Sequence, residues 1–297
     1  MLSTAKIKTD EEVTKYFQDL AAKFEEKPQT KSKILFTLAS FTYENDKAKA
    51  VVQMTAAYNP KLIYAPADID LYGSALLEQG KGDDATKVYQ KLAQDFPNPA
   101  NVAPEKAPQL VQQAQSISMY GLARATQLQG NVAEAAAKFE TFKKLYPSAA
   151  PAKMMEANYG IALAANAEKK YDTAIPLLIQ VYRVPSAGVD LRAKAMLLHA
   201  QIMEAKGETL PAMESYNKIA IFYDSVPAIA SESIWCAGKL LEKQAATLQP
   251  SQDPKAPTKA GQLKKAVASY KELVAKYPNS PHVNEAKARL AVLEPGK

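Results

Sequence analysis

One arrangement of small, bulky and apolar positions returns along this chain. A small residue is followed four positions later by a bulky one and three positions after that by an apolar one. The instances are Ala85…Tyr89…Leu92, Ala135…Phe139…Phe142, Ala174…Leu178…Val181, Ala212…Tyr216…Ile219 and Ala266…Tyr270…Leu273. Three of these phrases close on a proline five residues later, at Pro97, Pro147 and Pro278. Steps of four and three keep the side chains on one face of an α-helix, and the intervening positions are mostly polar. Each phrase therefore predicts a helix with one buried stripe. The residue before proline disfavours the helical region, so these helices end there.

A companion helix precedes each phrase, with its own small residue about twelve positions before the alanine: Gly73, Ala123, Ala162 and Ala200, with Gly238 in the last unit. Two helices that cross closely need small side chains where their backbones approach. Short polar turns separate the helices of each pair, as at Gln79-Gly80-Lys81, Gln129-Gly130-Asn131, Glu168-Lys169-Lys170 and Lys206-Gly207-Glu208. Glycine there predicts a left-handed helix end, and the neighbouring Asn or Asp is expected to cap the next helix.

With Ala48 taken as the first member, successive alanines lie 37, 50, 39, 38 and 54 residues apart. The two long intervals carry proline-rich insertions at 97–108 and 250–259, where a continuous helix is blocked. The rest of the period is that of a helix-pair repeat. At the start, Val13, Tyr16, Phe17, Leu20 and Phe24 form an amphipathic stripe behind acidic Asp10, Glu11 and Glu12, as suits a helix N-terminus. At the end, Ala286, Leu290 and Leu293 predict a closing helix. The expectation is an all-α, right-handed solenoid of five to six helix hairpins spanning 1–297. It divides into an N-terminal helix at 1–29, repeats one and two at 30–96, and a loop at 97–108. Repeats three to five with the first helix of the sixth follow at 109–249, then a loop at 250–259 and a last hairpin and cap at 260–297.

Composition agrees. Of 297 residues, 47% are hydrophobic and 23% charged, the balance of an ordered chain with its own core. No apolar run approaches the ~20 residues that span a bilayer. The net charge is +6, with lysines spread over most helices rather than clustered as a nucleic-acid footprint requires. The single cysteine, Cys236, has no intramolecular partner for a disulfide.

The phrases resemble tetratricopeptide repeats. In that family the first helix carries a small residue, the second carries alanine followed by an aromatic, and proline ends the unit. Gly73…Gly80…Ala85…Tyr89…Pro97 and Ala123…Gly130…Ala135…Phe139…Pro147 carry the likeness most closely. The segments Phe142-Lys-Lys-Leu-Tyr-Pro-Ser-Ala149 and Leu273-Val-Ala-Lys-Tyr-Pro-Asn-Ser-Pro281 are similar to repeats of bacterial envelope proteins, among them the Tol-system coordinator and the lipoprotein of the outer-membrane assembly machine. This resemblance implies a non-catalytic scaffold that binds a protein or peptide partner in a concave groove. It also implies which first-helix positions face that groove: three before the small residue, and one and four after it. Those are Tyr120, Arg124 and Gln127, then Tyr159, Leu163 and Asn166, then Leu197, Gln201 and Glu204. The carboxylate clamp of chaperone-binding relatives needs paired Lys-x-x-x-Asn and Lys-x-x-x-Arg helices, and no aligned set exists here. Location follows the same resemblance: periplasm or cell envelope if a leader was removed, otherwise cytoplasm.

The sequence offers little reactive chemistry. There are two histidines, His199 and His282; the first occupies an apolar helical position and reads as structural, the second follows Pro281 and reads as solvated. No His pair or Cys/His cluster has zinc spacing, Gly80-Lys81-Gly82 does not complete a phosphate loop, and Asp68, Asp70, Asp83 and Asp84 lack calcium-loop spacing. No cofactor, metal or catalytic residue is expected. Two other classes remain as alternatives: a nucleic-acid-binding helical repeat, which the uneven intervals oppose, and a carbohydrate-active helical toroid using first-helix acids such as Glu156, Glu204 and Glu232. The register makes a direct prediction. Ala135→Tyr overpacks a helix crossing and lowers stability by more than ~1 kcal/mol; an unchanged melting midpoint would take Ala135 out of the core.

Overall fold

The computed structural model describes residues 9–100, 102–249 and 256–295. Among these residues it contains fourteen α-helices and no strand, and the chain divides into two compact units, 1–149 and 150–297. The first unit holds α1 (Asp10–Ala22), α2 (Pro28–Tyr43), α3 (Lys47–Ala57), α4 (Pro66–Glu78), α5 (Gly82–Asp95), α6 (Gln109–Leu128) and α7 (Val132–Leu145). The second holds α8 (Pro151–Ala167), α9 (Tyr171–Arg183), α10 (Val189–Ala205), α11 (Thr209–Phe222), α12 (Pro227–Thr247), α13 (Lys259–Lys276) and α14 (Val283–Leu293). Within each unit, consecutive helices pack on one another in chain order. The proline-rich segment at 97–108 contains a short 3-10 turn, Pro104–Lys106. Most of the loop expected at 250–259 lies outside the described residues, as do 1–8 of the expected N-terminal helix segment.

The alternation of small and bulky residues explains the packing. Ala85, Ala135, Ala174, Ala212 and Ala266 are all fully buried, as are Tyr89, Phe139, Leu178, Tyr216 and Tyr270 four residues on. The first member of the series is corrected. Ala48 is exposed, and the buried phrase on α3 is Ala50…Met54…Ala57. It has the same four-and-three spacing, with methionine at the bulky position, and starts two residues after Ala48. The interval to Ala85 is then 35 residues.

Tyr89 shows why the first helices need glycine. Its ring lies between α4 of its own hairpin and α6 of the next. A Cβ on Gly73 or on Gly121 would overlap the ring. Gly238 on α12 stands in the same relation to Tyr270 on α13. Hydrogen bonds tie α6 to the same helix: Ser118 Oγ donates to the Tyr89 carbonyl at 2.5 Å, and Gln115 Nε2 donates to the carbonyls of Ala93 (3.0 Å) and Phe96 (2.6 Å) at the end of α5. Carbonyls in a helix's last turn lack intrahelical donors, and the next hairpin supplies one here.

The turns follow the expected backbone in part. Gly80, Gly130 and Gly207 have positive φ, and Lys169 takes that conformation (φ 57°) in the one turn without glycine. The expected Asn or Asp caps do not form. Asn131 precedes α7 without a side-chain cap bond. Its own amide bonds to the Thr126 carbonyl and the Val132 amide to that of Gly130, so the turn is closed by backbone bonds.

Gly73→Ala and Gly121→Ala should each lower stability by more than ~1 kcal/mol, because overpacking a ring held from both sides outweighs the ~1 kcal/mol that alanine gains in helix propensity. In a Tyr89→Leu background the same substitutions should become neutral or stabilising. Equal losses in both backgrounds, read from urea unfolding, would contradict this packing.

Candidate functional site

The first unit places its three expected groove residues unequally. Tyr120 on α6 is buried, its ring centroid 5.4 Å from Phe142 and 6.3 Å from Phe139 on α7. Position 120 lies one turn before buried Ala123 and shares its face of the helix, so the phenol packs inward. Arg124 is half-buried, with its guanidinium 5.5 Å from the Tyr120 ring and Nη1 donating to Ser74 Oγ on α4 at 3.1 Å. Gln127 is half-buried one turn further on.

In the second unit, Tyr159, Leu163 and Asn166 on α8 are half-buried, as are Gln201 and Glu204 on α10, while Leu197 is buried. Burial pushes the Tyr159 hydroxyl up to about 12. Glu204 accepts a hydrogen bond from the Tyr216 hydroxyl at 2.8 Å. A core tyrosine thus reaches past the small residues of the first helix to a carboxylate on the expected groove face.

None of the nine residues lines the cleft that the next repeat forms. The same positional rule applied to Gly238 selects Trp235, Lys239 and Glu242 on α12. These three line a cleft of ≈ 490 Å³ together with Tyr270 on α13 and Glu285, Ala288 and Arg289 on α14. The signal was present in the sequence, as Trp235 stands three before a glycine in a first-helix stripe. The long insertion after it displaces the partner alanine and masks the register.

The cleft is held by internal pairing. Glu242 accepts from the Tyr270 hydroxyl at 2.6 Å and from Arg289 Nε at 3.1 Å, with Arg289 Nη2 completing a bidentate pair. Burial acts to raise the Glu242 carboxyl, but hydrogen bonds from Arg289 and Tyr270 outweigh it, and the group lies below the usual carboxylate range. Trp235 forms the floor, 8% exposed. On one side His282 stacks against the indole, 5.2 Å between centroids and 7° between planes; Lys239 Nζ lies 5.7 Å from the ring centroid. His282 is therefore not a solvated turn residue. It bonds through Nε2 to Glu232 Oε2 at 2.5 Å, with Glu285 3.8 Å from Nδ1, and it precedes the first residue of α14.

Neither remaining candidate for chemistry is activated. Burial, reinforced by Glu232 and Glu204, pushes the Cys236 thiol up to about 12, so it stays protonated at neutral pH. His199 pairs its ring with Tyr182 (5.9 Å), and burial lowers its pKa. Among the described residues no group of three or more His, Cys, Asp or Glu side chains is placed to hold a metal ion, and no helix is long and apolar enough to cross a membrane.

The hairpins α4–α5 and α12–α13 each set a glycine of the first helix against a ring on the second, and in α6–α7 Ala123 and Phe139 are both fully buried. A family model for the tetratricopeptide repeat matches the chain at these places, residues 71–99, 118–149 and 238–280. These three segments are similar to tetratricopeptide repeats. The envelope-protein likeness is not distinguished by this match. BtubC from P. vanneervenii is similar in structure, with 13% identity, 92% of this chain and 93% of that one covered, and a TM-score of 0.50. The C-terminal part of a TPR repeat-containing protein from Cytophaga hutchinsonii aligns at 17% identity, covering 93% of each chain, with a TM-score of 0.48. A putative kinesin light chain from Podosopora anserina aligns at 15% identity over 79% of this chain and all of that one, with a TM-score of 0.39. At these identities the BtubC likeness shows the fold alone. No curated protein matches the sequence.

Glu242 yields a pH prediction. A carboxyl held below its unfolded value contributes stability that is present above the unfolded pKa of about 4.3 and is lost as pH falls through the folded value. Glu242→Gln should lower the urea midpoint at pH 7 and reduce the loss seen on acidification below about pH 4.5. A variant whose acid limb matches the parent's would show that the Arg289 and Tyr270 bonds carry no stability.

Proposed function

We propose that this chain is a non-catalytic scaffold for protein–protein contacts and that the first-helix face of its second unit, centred on the α12–α14 cleft, holds a segment of a partner protein. The cleft carries the reading. It joins an aromatic floor to charged walls already fixed by bonds to the core, and rigid, pre-paired walls reduce the ordering cost of binding. Aromatic and arginine side chains are also the ones that concentrate binding energy at interfaces. The repeats support a protein partner in general terms, since such hairpins present extended surfaces rather than enclosed sites. The Tyr146-Pro147-Ser148 and Tyr277-Pro278-Asn279-Ser280 turns further support a place in the bacterial cell envelope.

A photo-crosslinking amino acid at Ala288 in the cleft, compared with one at Lys218 on the exposed side of α11, tests the surface in cells that express the chain natively. Discrete protein adducts from position 288 and none from 218 are expected, and the adducts should co-fractionate with the envelope. Adducts from 218 alone would place the contact on the opposite side of the hairpins.

A further inference from the structure

The charges around the cleft separate into those that are engaged and one that is not. Glu242 is occupied by Arg289 and Tyr270. Glu285 and Glu232 both face His282. Lys239 is exposed, and among the described residues no carboxylate lies within ion-pair distance of it; its ammonium rests 5.7 Å from the Trp235 ring centroid. Between Lys259 and Glu294, the last hairpin carries seven Lys or Arg side chains against three acidic ones. The cleft therefore offers one cation without a carboxylate partner above an indole floor, while Glu242 is held by Arg289 and Tyr270 and Glu232 is bonded to His282.

We propose that the occupant is an extended segment of a partner protein that presents an Asp or Glu side chain to Lys239 and sets an apolar neighbour against Trp235 and Ala288. This rests on the scaffold reading above and adds the chemistry of the guest. A side-chain carboxylate fits better than a chain terminus. A terminal carboxylate is gripped by several donors at once, whereas Arg289 is committed to Glu242 and the positions beside Lys239 on α12, Leu240 and Leu241, are buried. Electrostatic complementarity of this kind chooses among partners and speeds encounter more than it adds raw affinity.

The test is a random-peptide phage selection on the full-length protein, run in parallel on the parent, Lys239→Met and Lys239→Glu. Displayed peptides are fused at their C-terminus, so no terminal carboxylate competes. Peptides from the parent should be enriched in Asp and Glu beside an apolar residue, and those from Lys239→Glu in Lys and Arg. Synthetic amidated versions of the parent's peptides should shift the emission of Trp235, the chain's only tryptophan. They should bind Lys239→Glu about five- to tenfold more weakly, the scale of one exposed ion pair turned repulsive. Lys239→Met should fall between.

Peptides that move Trp235 but show no acidic bias, and bind all three proteins alike, overturn the acidic-guest inference and leave the scaffold reading intact. Peptides that bind without touching Trp235 overturn the cleft as the site. A selection that returns no binder counts against the scaffold reading itself.

Discussion

The whole chain depends on how closely two helix backbones approach with an aromatic ring between them. At Tyr89 the approach is so tight that neither flanking helix tolerates a Cβ at the point of contact, at Gly73 or at Gly121. Such contact gives up helix propensity at two positions to gain dispersion and apolar burial at one large side chain. The exchange is favourable because one ring packs against two neighbouring helices at once. It also sets the repeat's geometry, since the ring fixes the distance between a hairpin and its successor.

Other features follow from that approach. Where the small residue is alanine, as with Ala200 in the cluster around Tyr216, the same plan holds with a looser fit. Where the second helix lacks an aromatic, as with Met54 on α3, the same core holds a group of rings: Phe36 lies 5.0 Å from Tyr64 and 5.8 Å from Tyr72, centroid to centroid. The α2–α3 hairpin thus replaces one inserted ring with a cluster supplied by the α2, α3–α4 and α4 segments. The second unit keeps the single ring at Tyr216 and Tyr270 and adds the Trp235–His282 stack near its end.

Much of this was legible in the chain. Helix pairing, the buried alanines and the tyrosines four residues on follow from spacing alone, because helical period and burial are both local properties of sequence. Ala48 was misassigned by two residues: Val52, four positions on, is exposed, and the structure buries Ala50 and Met54 instead. The groove face was legible as positions but not as exposure. Tyr120 and Leu197 occupy the expected places and are still buried, Tyr120 against Phe139 and Phe142 on α7. The α12–α14 cleft escaped notice for a different reason: its walls come from helices separated by an insertion. The stacking of His282 on Trp235 joins residues 47 positions apart, which no local pattern records.

The tyrosine hydroxyls deserve a last consequence. Tyr216 and Tyr270 sit at the centre of the packing, yet their oxygens end on Glu204 and Glu242 of the outward face, and Tyr89 reaches Ser74 in the same manner at 3.4 Å. Interior and exterior are therefore wired together in these three repeats, by one phenol each. A family descended from such a chain could retune what its outer face displays by exchanging tyrosine for phenylalanine far beneath it, releasing a carboxylate above without altering a single contact residue. Specificity in this architecture can be edited from inside.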